Sequence, residues 1–135
     1  MTNKAVIDAQ VLFYFHYRSE KVPEILKQLK IDVILGKITV IIPTIAIAEL
    51  LWKIRRENKS TESLKTAVKR WEQSPNVIID SFDLNLIKLM LHNHESHELH
   101  DEIIAITCKK YDTNVVYGTD LKFETVFNLK LRSWK

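Results

Sequence analysis

Glycine, proline and cysteine are all scarce in this sequence. Two glycines and three prolines among 135 residues are too few for a disordered or linker-rich chain. A single cysteine, Cys108, excludes an internal disulfide, favours a reducing compartment and is predicted to pack in the core. No apolar run reaches the roughly 18 residues that a membrane-spanning helix needs, and the N-terminal segment lacks the apolar stretch of a signal peptide. We therefore expect one cytoplasmic globular domain over residues 1–135, with no membrane segment.

The sequence also has no large excess of either positive or negative charge. The net charge is +3 at neutral pH, which permits an anionic partner such as nucleic acid without demanding one. Residues 53–70 nevertheless hold seven lysines and arginines against two glutamates. This segment is either a solvated helix pair or a surface that follows a phosphate backbone, with Lys53, Arg55 and Arg56 as candidate contacts. Trp52 is predicted to anchor a core or an interface rather than to stack on a base.

Short apolar runs alternate with amphipathic segments along the chain. The runs predict buried strands at KAVID, ITVII, NVIID, NVVYGTD and, less regularly, LKLRSW. Between them, helices are predicted, with Gly36 ending the second, Thr44 capping the third and Asp83 beginning the fifth. Alternating buried strands and helices indicate an α/β fold, a three-layer α/β/α sandwich around a central parallel sheet of four to five strands.

Four carboxylates are predicted to meet at one edge of this sheet. Asp8 and Asp120 lie at the carboxyl ends of the first and fourth strands, and Asp101 lies in the first turn of a late helix. Each of these three could simply cap a helix. Glu49 lies inside the apolar stretch VIIPTIAIAELLW, too deep in its helix to cap, where a carboxylate needs a proton, a partner or a cation. Ligand sites of parallel α/β sheets lie at this edge.

Converging carboxylates repel one another, and a hard divalent cation removes that repulsion. Mg²⁺ and Mn²⁺ prefer carboxylate oxygens and keep several waters, which they can activate for attack on phosphorus. The pattern therefore predicts a Mg²⁺ or Mn²⁺ site.

The segments VIDAQVLFYF, IIPTIAIAELL, ELHDEIIAITCKK and NVVYGTDLKF together resemble the PIN domain family, and within it the VapC-like toxins of type II toxin–antitoxin pairs. The resemblance implies a PIN-like fold and a metal-dependent ribonuclease in which Asp8, Glu49, Asp101 and Asp120 hold Mg²⁺ or Mn²⁺ and water attacks the RNA phosphodiester. It also implies a homodimer and a small antitoxin that inserts a segment into the cleft. The supporting residues of this site would be Thr44, His100 and Thr119.

The sequence departs from the family pattern at three positions. Gln10 stands where a small polar residue is usual, Gly118 where threonine is often found, and Lys122 where a further aspartate often follows. The first two changes bear on metal geometry, and the third removes a possible ligand. An RNA-binding PIN-like module that has lost cleavage is therefore an alternative.

Two further alternatives come from other classes of protein. A phosphotransfer receiver would use Asp80, at the end of the third strand, as its phosphoacceptor, although no paired acids follow the first strand. A zinc site could draw on His94, His97 and His100, which are three residues apart, but no cysteine is near and a solvated connection is the simpler interpretation.

Overall fold

A parallel sheet forms the centre of the computed structural model, which describes residues 3–17, 19–92 and 97–135. Within these residues the sheet has five strands, in the order β3-β2-β1-β4-β5, and every neighbouring pair is parallel. The strands are β1 (Asn3–Ile7), β2 (Ile38–Pro43), β3 (Val77–Asp80), β4 (Val115–Tyr117) and β5 (Lys130–Arg132). The predicted α/β fold with a parallel sheet of up to five strands is confirmed.

Helices cover both faces of the sheet. They are α1 (Ala9–Tyr17), α2 (Glu24–Ile34), α3 (Thr44–Arg56), α4 (Glu62–Gln73), α5 (Leu84–Met90), α6 (Leu99–Lys110) and α7 (Lys122–Thr125), with a 3₁₀ turn at Ser19–Lys21. In the described part of the chain, no helix is long and apolar enough to cross a membrane.

Strand side chains alternate between two apolar clusters, as the pleat of a strand requires. Ala5 and Ile7 of β1 join a cluster with α1 to α4, whereas Val6 faces a second cluster that contains Cys108 of α6 and Phe123 of α7. Cys108 is fully buried, as predicted, and its burial raises the pKa of its thiol to about 12.

Of the two residues predicted to begin helices, Asp83 does so and Thr44 does not. Asp83 caps α5, because its Oδ1 accepts a hydrogen bond from the Leu86 backbone N–H at 3.1 Å. Thr44 does not cap α3: it is the first helical residue, Pro43 precedes it, and its Oγ1 instead accepts from the backbone N–H of Phe82 at 3.1 Å. Pro43 already has the φ of −65° that suits a residue at a helix start.

The strand order excludes the phosphotransfer receiver, whose order is 2-1-3-4-5. Asp80 is also unsuited to accept phosphate, because it is 4% exposed and its Oδ1 accepts hydrogen bonds from Lys110 Nζ and Tyr111 Oη, both at 2.7 Å. The prediction of a possible phosphoacceptor there is wrong. Asp80 instead joins β3 to the end of α6.

Candidate active site

Asp8 lies at the point where the order in which strands are added to the sheet reverses its direction. β1 lies between β2 and β4, so the chain leaves β1 toward one side for β2 and later returns on the other side for β4. Such a switch point opens a crevice beyond the carboxyl ends of the strands. Asp8 follows β1 directly, is buried, and accepts a hydrogen bond through Oδ1 from the Ala9 backbone N–H at 2.7 Å. The crevice at the switch point therefore has a carboxylate at its base.

His100 joins two of the predicted acids. Its Nε2 lies 2.8 Å from Asp8 Oδ1, and its Nδ1 contacts Glu49 Oε1. Hydrogen bonds to Asp8 and then to Glu49 raise the pKa of His100 to about 10, even though burial opposes this. At neutral pH the ring is therefore an imidazolium, and it holds the two carboxylates together.

Glu49 is less enclosed than its apolar sequence context predicts. Its side chain is 40% exposed, so the expectation that apolar residues surround it is wrong. The buried face of α3 is formed by Ala46, Leu50 and Ile54, which are four residues apart. Glu49 lies beside this row, and the helix turns it toward His100 instead of the core.

Asp101 is the most enclosed carboxylate of the group. It is 3% exposed, and its Oδ2 is buried without a hydrogen-bond partner in the described part of the chain. Burial raises the pKa of Asp101, and the charges of Asp120 and Glu98 raise it further. A buried carboxylate with an unsatisfied oxygen, repelled by neighbouring acids, favours the approach of a cation.

Asp120 lies beyond the end of β4 rather than at it. Gly118 and Thr119 separate it from Tyr117, the last residue of the strand. Its Oδ1 accepts a hydrogen bond at 3.0 Å from the backbone N–H of Lys122, the first residue of the short helix α7. The charge of Asp120 nevertheless helps to raise the pKa of Asp101, so the two carboxylates lie near each other.

Of the predicted supporting residues, only His100 contacts the acids. Thr44 binds the connection after β3, and in the residues that the structure describes no hydrogen bond joins the Thr119 hydroxyl to the four acids. Glu98 was missed by sequence reasoning. Its position three residues before Asp101, one helical turn away, was the available signal.

The three departures from the family pattern have distinct surroundings. Gln10 is exposed on α1. Gly118 packs so closely that an added Cβ would lie 3.3 Å from Asp8 Cβ. Lys122 Nζ lies 3.8 Å from Glu98 Oε2, so the positive charge of Lys122 faces Glu98, an acid in addition to the four predicted ones.

The donor set fits a hard divalent cation in its chemistry, because it consists of carboxylate oxygens and includes the unsatisfied Oδ2 of Asp101. As now placed, no three histidine, cysteine, aspartate or glutamate side chains of the described residues stand close enough to share one ion. His100 occupies the space between Asp8 and Glu49 and supplies positive charge there.

The histidine-rich segment gives no support to a zinc site. His94 lies outside the described residues, and His97 packs against the Phe127 ring with 4.8 Å between centroids. His100 is engaged with Asp8 and Glu49.

Comparisons with known proteins agree with this fold. Among solved structures, the chain resembles one from a crystal structure of VapBC2 from Rickettsia felis bound to a DNA fragment from their promoter, with a TM-score of 0.61 and 15% identity, over 98% of this chain and 99% of that one. At this identity the likeness concerns the fold. No curated protein sequence matches. The model of the PIN domain family matches residues 5–127, a span that begins within β1 and contains β2 to β4 and all four acids of the crevice. The chain thus belongs to the PIN domain family.

Proposed function

We propose that this chain is a Mg²⁺- or Mn²⁺-dependent endoribonuclease that hydrolyses RNA phosphodiester bonds. The observation that carries the proposal is the buried, unsatisfied Asp101 carboxylate at the switch-point crevice, with Asp8, Glu49 and Asp120 around it. The residues proposed to hold the cation are these four acids. No alternative nucleophile is needed, because water serves in metal-assisted hydrolysis.

When bound, the cation would supply a water of lowered pKa and neutralise charge on the phosphate. The chain's own residues prepare this chemistry. Asp101 keeps an oxygen free of hydrogen bonds, and Asp8 is fixed by the Ala9 N–H at the start of α1. His100 balances the charges of Asp8 and Glu49 with its own positive charge, which a bound cation would also supply.

We further propose that the enzyme is the toxin of a cytoplasmic toxin–antitoxin pair, that it is a homodimer, and that a small antitoxin inserts a segment into the crevice. The solved structure of similar fold is a VapBC2 assembly on promoter DNA, which supports this proposal. Co-expression with the product of a small neighbouring gene, followed by size-exclusion chromatography with light scattering, tests both partners.

The second candidate is a PIN-like module that binds RNA without cleaving it. Lys122, which faces Glu98 where the family often has a further acid, is the observation in its favour. The deciding assay mixes the protein with single-stranded RNA in Mn²⁺, in Mg²⁺ and in chelator. Metal-dependent cleavage supports the nuclease, whereas binding without cleavage in all three conditions supports the module.

A further inference from the structure

Trp52 is an exposed aromatic residue that has no role in the proposed metal site. Its side chain is 61% exposed on α3, whereas Trp71 and Trp134 pack against the larger apolar cluster. Trp52 therefore does not anchor the core, and the other half of the prediction, an interface anchor, stays a prediction.

Trp52 lies next to the crevice. It follows Glu49 by three residues and precedes Arg56 by four, so these side chains share one face of α3, and the axial rise from Glu49 to Trp52 is about 4.5 Å. Helical side chains lean toward the N-terminus of their helix. Since α3 begins directly after Pro43, the end of β2, its N-terminus lies at the carboxyl edge of the sheet. Trp52 therefore leans toward the acids.

Positive charge lies against this ring and at neighbouring positions of α3. The Arg56 guanidinium carbon lies 4.4 Å from the centroid of the Trp52 ring, and Lys53 Nζ lies 5.1 Å from the centroid of Phe13 on α1. Within the described residues, no ion pair joins Lys53, Arg55 or Arg56 to a carboxylate. Flat π-faces flanked by free cations match the two components of single-stranded RNA, its bases and its phosphates.

We propose that Trp52 and Arg56 form a stacking platform for a nucleobase of single-stranded RNA beside the scissile phosphate, with Lys53 and Arg55 facing the backbone. Tryptophan and arginine occur at protein interfaces as well, but lysine is depleted there, so Lys53 beside them favours nucleic acid over a protein partner. The proposal rests on the proposed ribonuclease function. It adds the position of the RNA on the protein surface and the part of the RNA, a base, that the protein binds.

The test compares a short single-stranded RNA with the same RNA carrying abasic nucleotides, both bound in chelator so that neither is cleaved. Wild type should prefer the RNA that has bases, and Trp52→Ala should weaken that binding by about 5- to 150-fold while leaving the abasic RNA nearly unaffected. Trp52→Phe should keep most of the preference. Leu35→Ala, which changes a side chain of similar exposure (62%) directly after α2, should keep all of it.

Two results would overturn the platform. Unchanged binding by Trp52→Ala would do so, and so would an equal loss for both RNAs, which indicates a folding or assembly role. Cleavage of RNA by the wild type in Mn²⁺ distinguishes failure of the platform from failure of the proposed ribonuclease function. If the wild type cleaves RNA but Trp52→Ala binds RNA as well as the wild type does, only the platform is refuted. Wild type that binds neither RNA would refute both and leave Trp52 as a contact for a protein.

Discussion

At the scale of single residues, the crevice is organised by a histidine. His100 comes from α6, yet it contacts the acid after β1 and the acid inside α3, so one ring connects three elements. Its charge explains how buried and half-buried carboxylates coexist without a cation. Glu49 is thus a partner of His100 in the free protein, and its replacement has two effects to separate.

Replacing Glu49 with glutamine removes one of the two carboxylates that His100 contacts. We expect the Mn²⁺-dependent cleavage rate to fall by orders of magnitude, because a cation ligand is lost. The metal-free melting temperature should fall slightly rather than rise, since His100 loses an ion-pair partner that is 40% exposed. Glu72→Gln, an exposed change on α4, is the control. If Glu49→Gln retained cleavage, Glu49 would not be a ligand of the metal ion.

Gly118 offers a second test at this scale. In Gly118→Ala the new methyl group would stand 3.3 Å from Asp8 Cβ and 3.6 Å from Phe123 Cε2, so Asp8 must shift by a few tenths of an ångström. We expect kcat to fall by less than the roughly hundredfold that a 1 Å misplacement costs, with KM unchanged. Steady-state kinetics of RNA cleavage measure both quantities. An unchanged kcat would mean that the position of Asp8 is not critical.

At the scale of elements, α6 carries the site at one end and a structural ion pair at the other. His100 and Asp101 lie in its first turn, where the helix dipole favours a carboxylate. Lys110, its last residue, and Tyr111 donate to buried Asp80 of β3. The helix is therefore held against the sheet at both ends, and its orientation fixes how Asp101 meets the crevice.

Asp80→Asn tests this attachment. The change weakens two hydrogen bonds to a buried carboxylate, and we expect the free energy of unfolding to fall by about 2–3 kcal/mol. Tyr111→Phe removes one of the two donors and should cost about half as much. Urea unfolding measures both variants. A loss below about 0.5 kcal/mol for Asp80→Asn would show that other contacts hold α6 in place.

The sequence predicted the elements better than it predicted their rotation and their contacts. The run ITVII was predicted to be a strand, and β2 covers those residues. The apolar neighbours of Glu49 in the sequence do not enclose it, because only the row Ala46, Leu50 and Ile54 forms the buried face of α3. The pairing of His100 with Asp8 spans 92 residues, and no local pattern encodes such a contact.

At the scale of the whole molecule, the stability of the metal-free protein should depend on alkaline pH. The pKa of His100 is raised from its ordinary 6.5 to about 10, so the stabilisation from its charge is complete below pH 6.5 and is lost as pH rises toward 10. The groups that face it are Asp8, Glu49 and Asp101. Melting temperatures in chelator should fall across this window for wild type and much less for His100→Asn. His92→Asn, at an exposed histidine, should behave as wild type.

A cation that binds only the folded protein must stabilise it. Melting in excess Mn²⁺ should therefore exceed melting in EDTA by several degrees, and Asp101→Asn should abolish the difference. The same variant without metal should be at least as stable as wild type, because burial already disfavours the charged form of Asp101. Equal melting temperatures of the wild type in Mn²⁺ and EDTA would count against a metal crevice.

The most direct measurement is the rate of single-stranded RNA cleavage as a function of Mn²⁺ concentration, for wild type, Asp101→Asn and Asp112→Asn. Asp112 is the matched control, because it is an exposed aspartate just beyond the other end of α6, and its positive φ of 55° suits asparagine. We predict a rate that saturates with Mn²⁺ for wild type and Asp112→Asn, and a loss of several orders of magnitude for a folded Asp101→Asn. Cleavage that persists in chelator, or that survives in Asp101→Asn at the wild-type rate, would contradict a carboxylate metal centre.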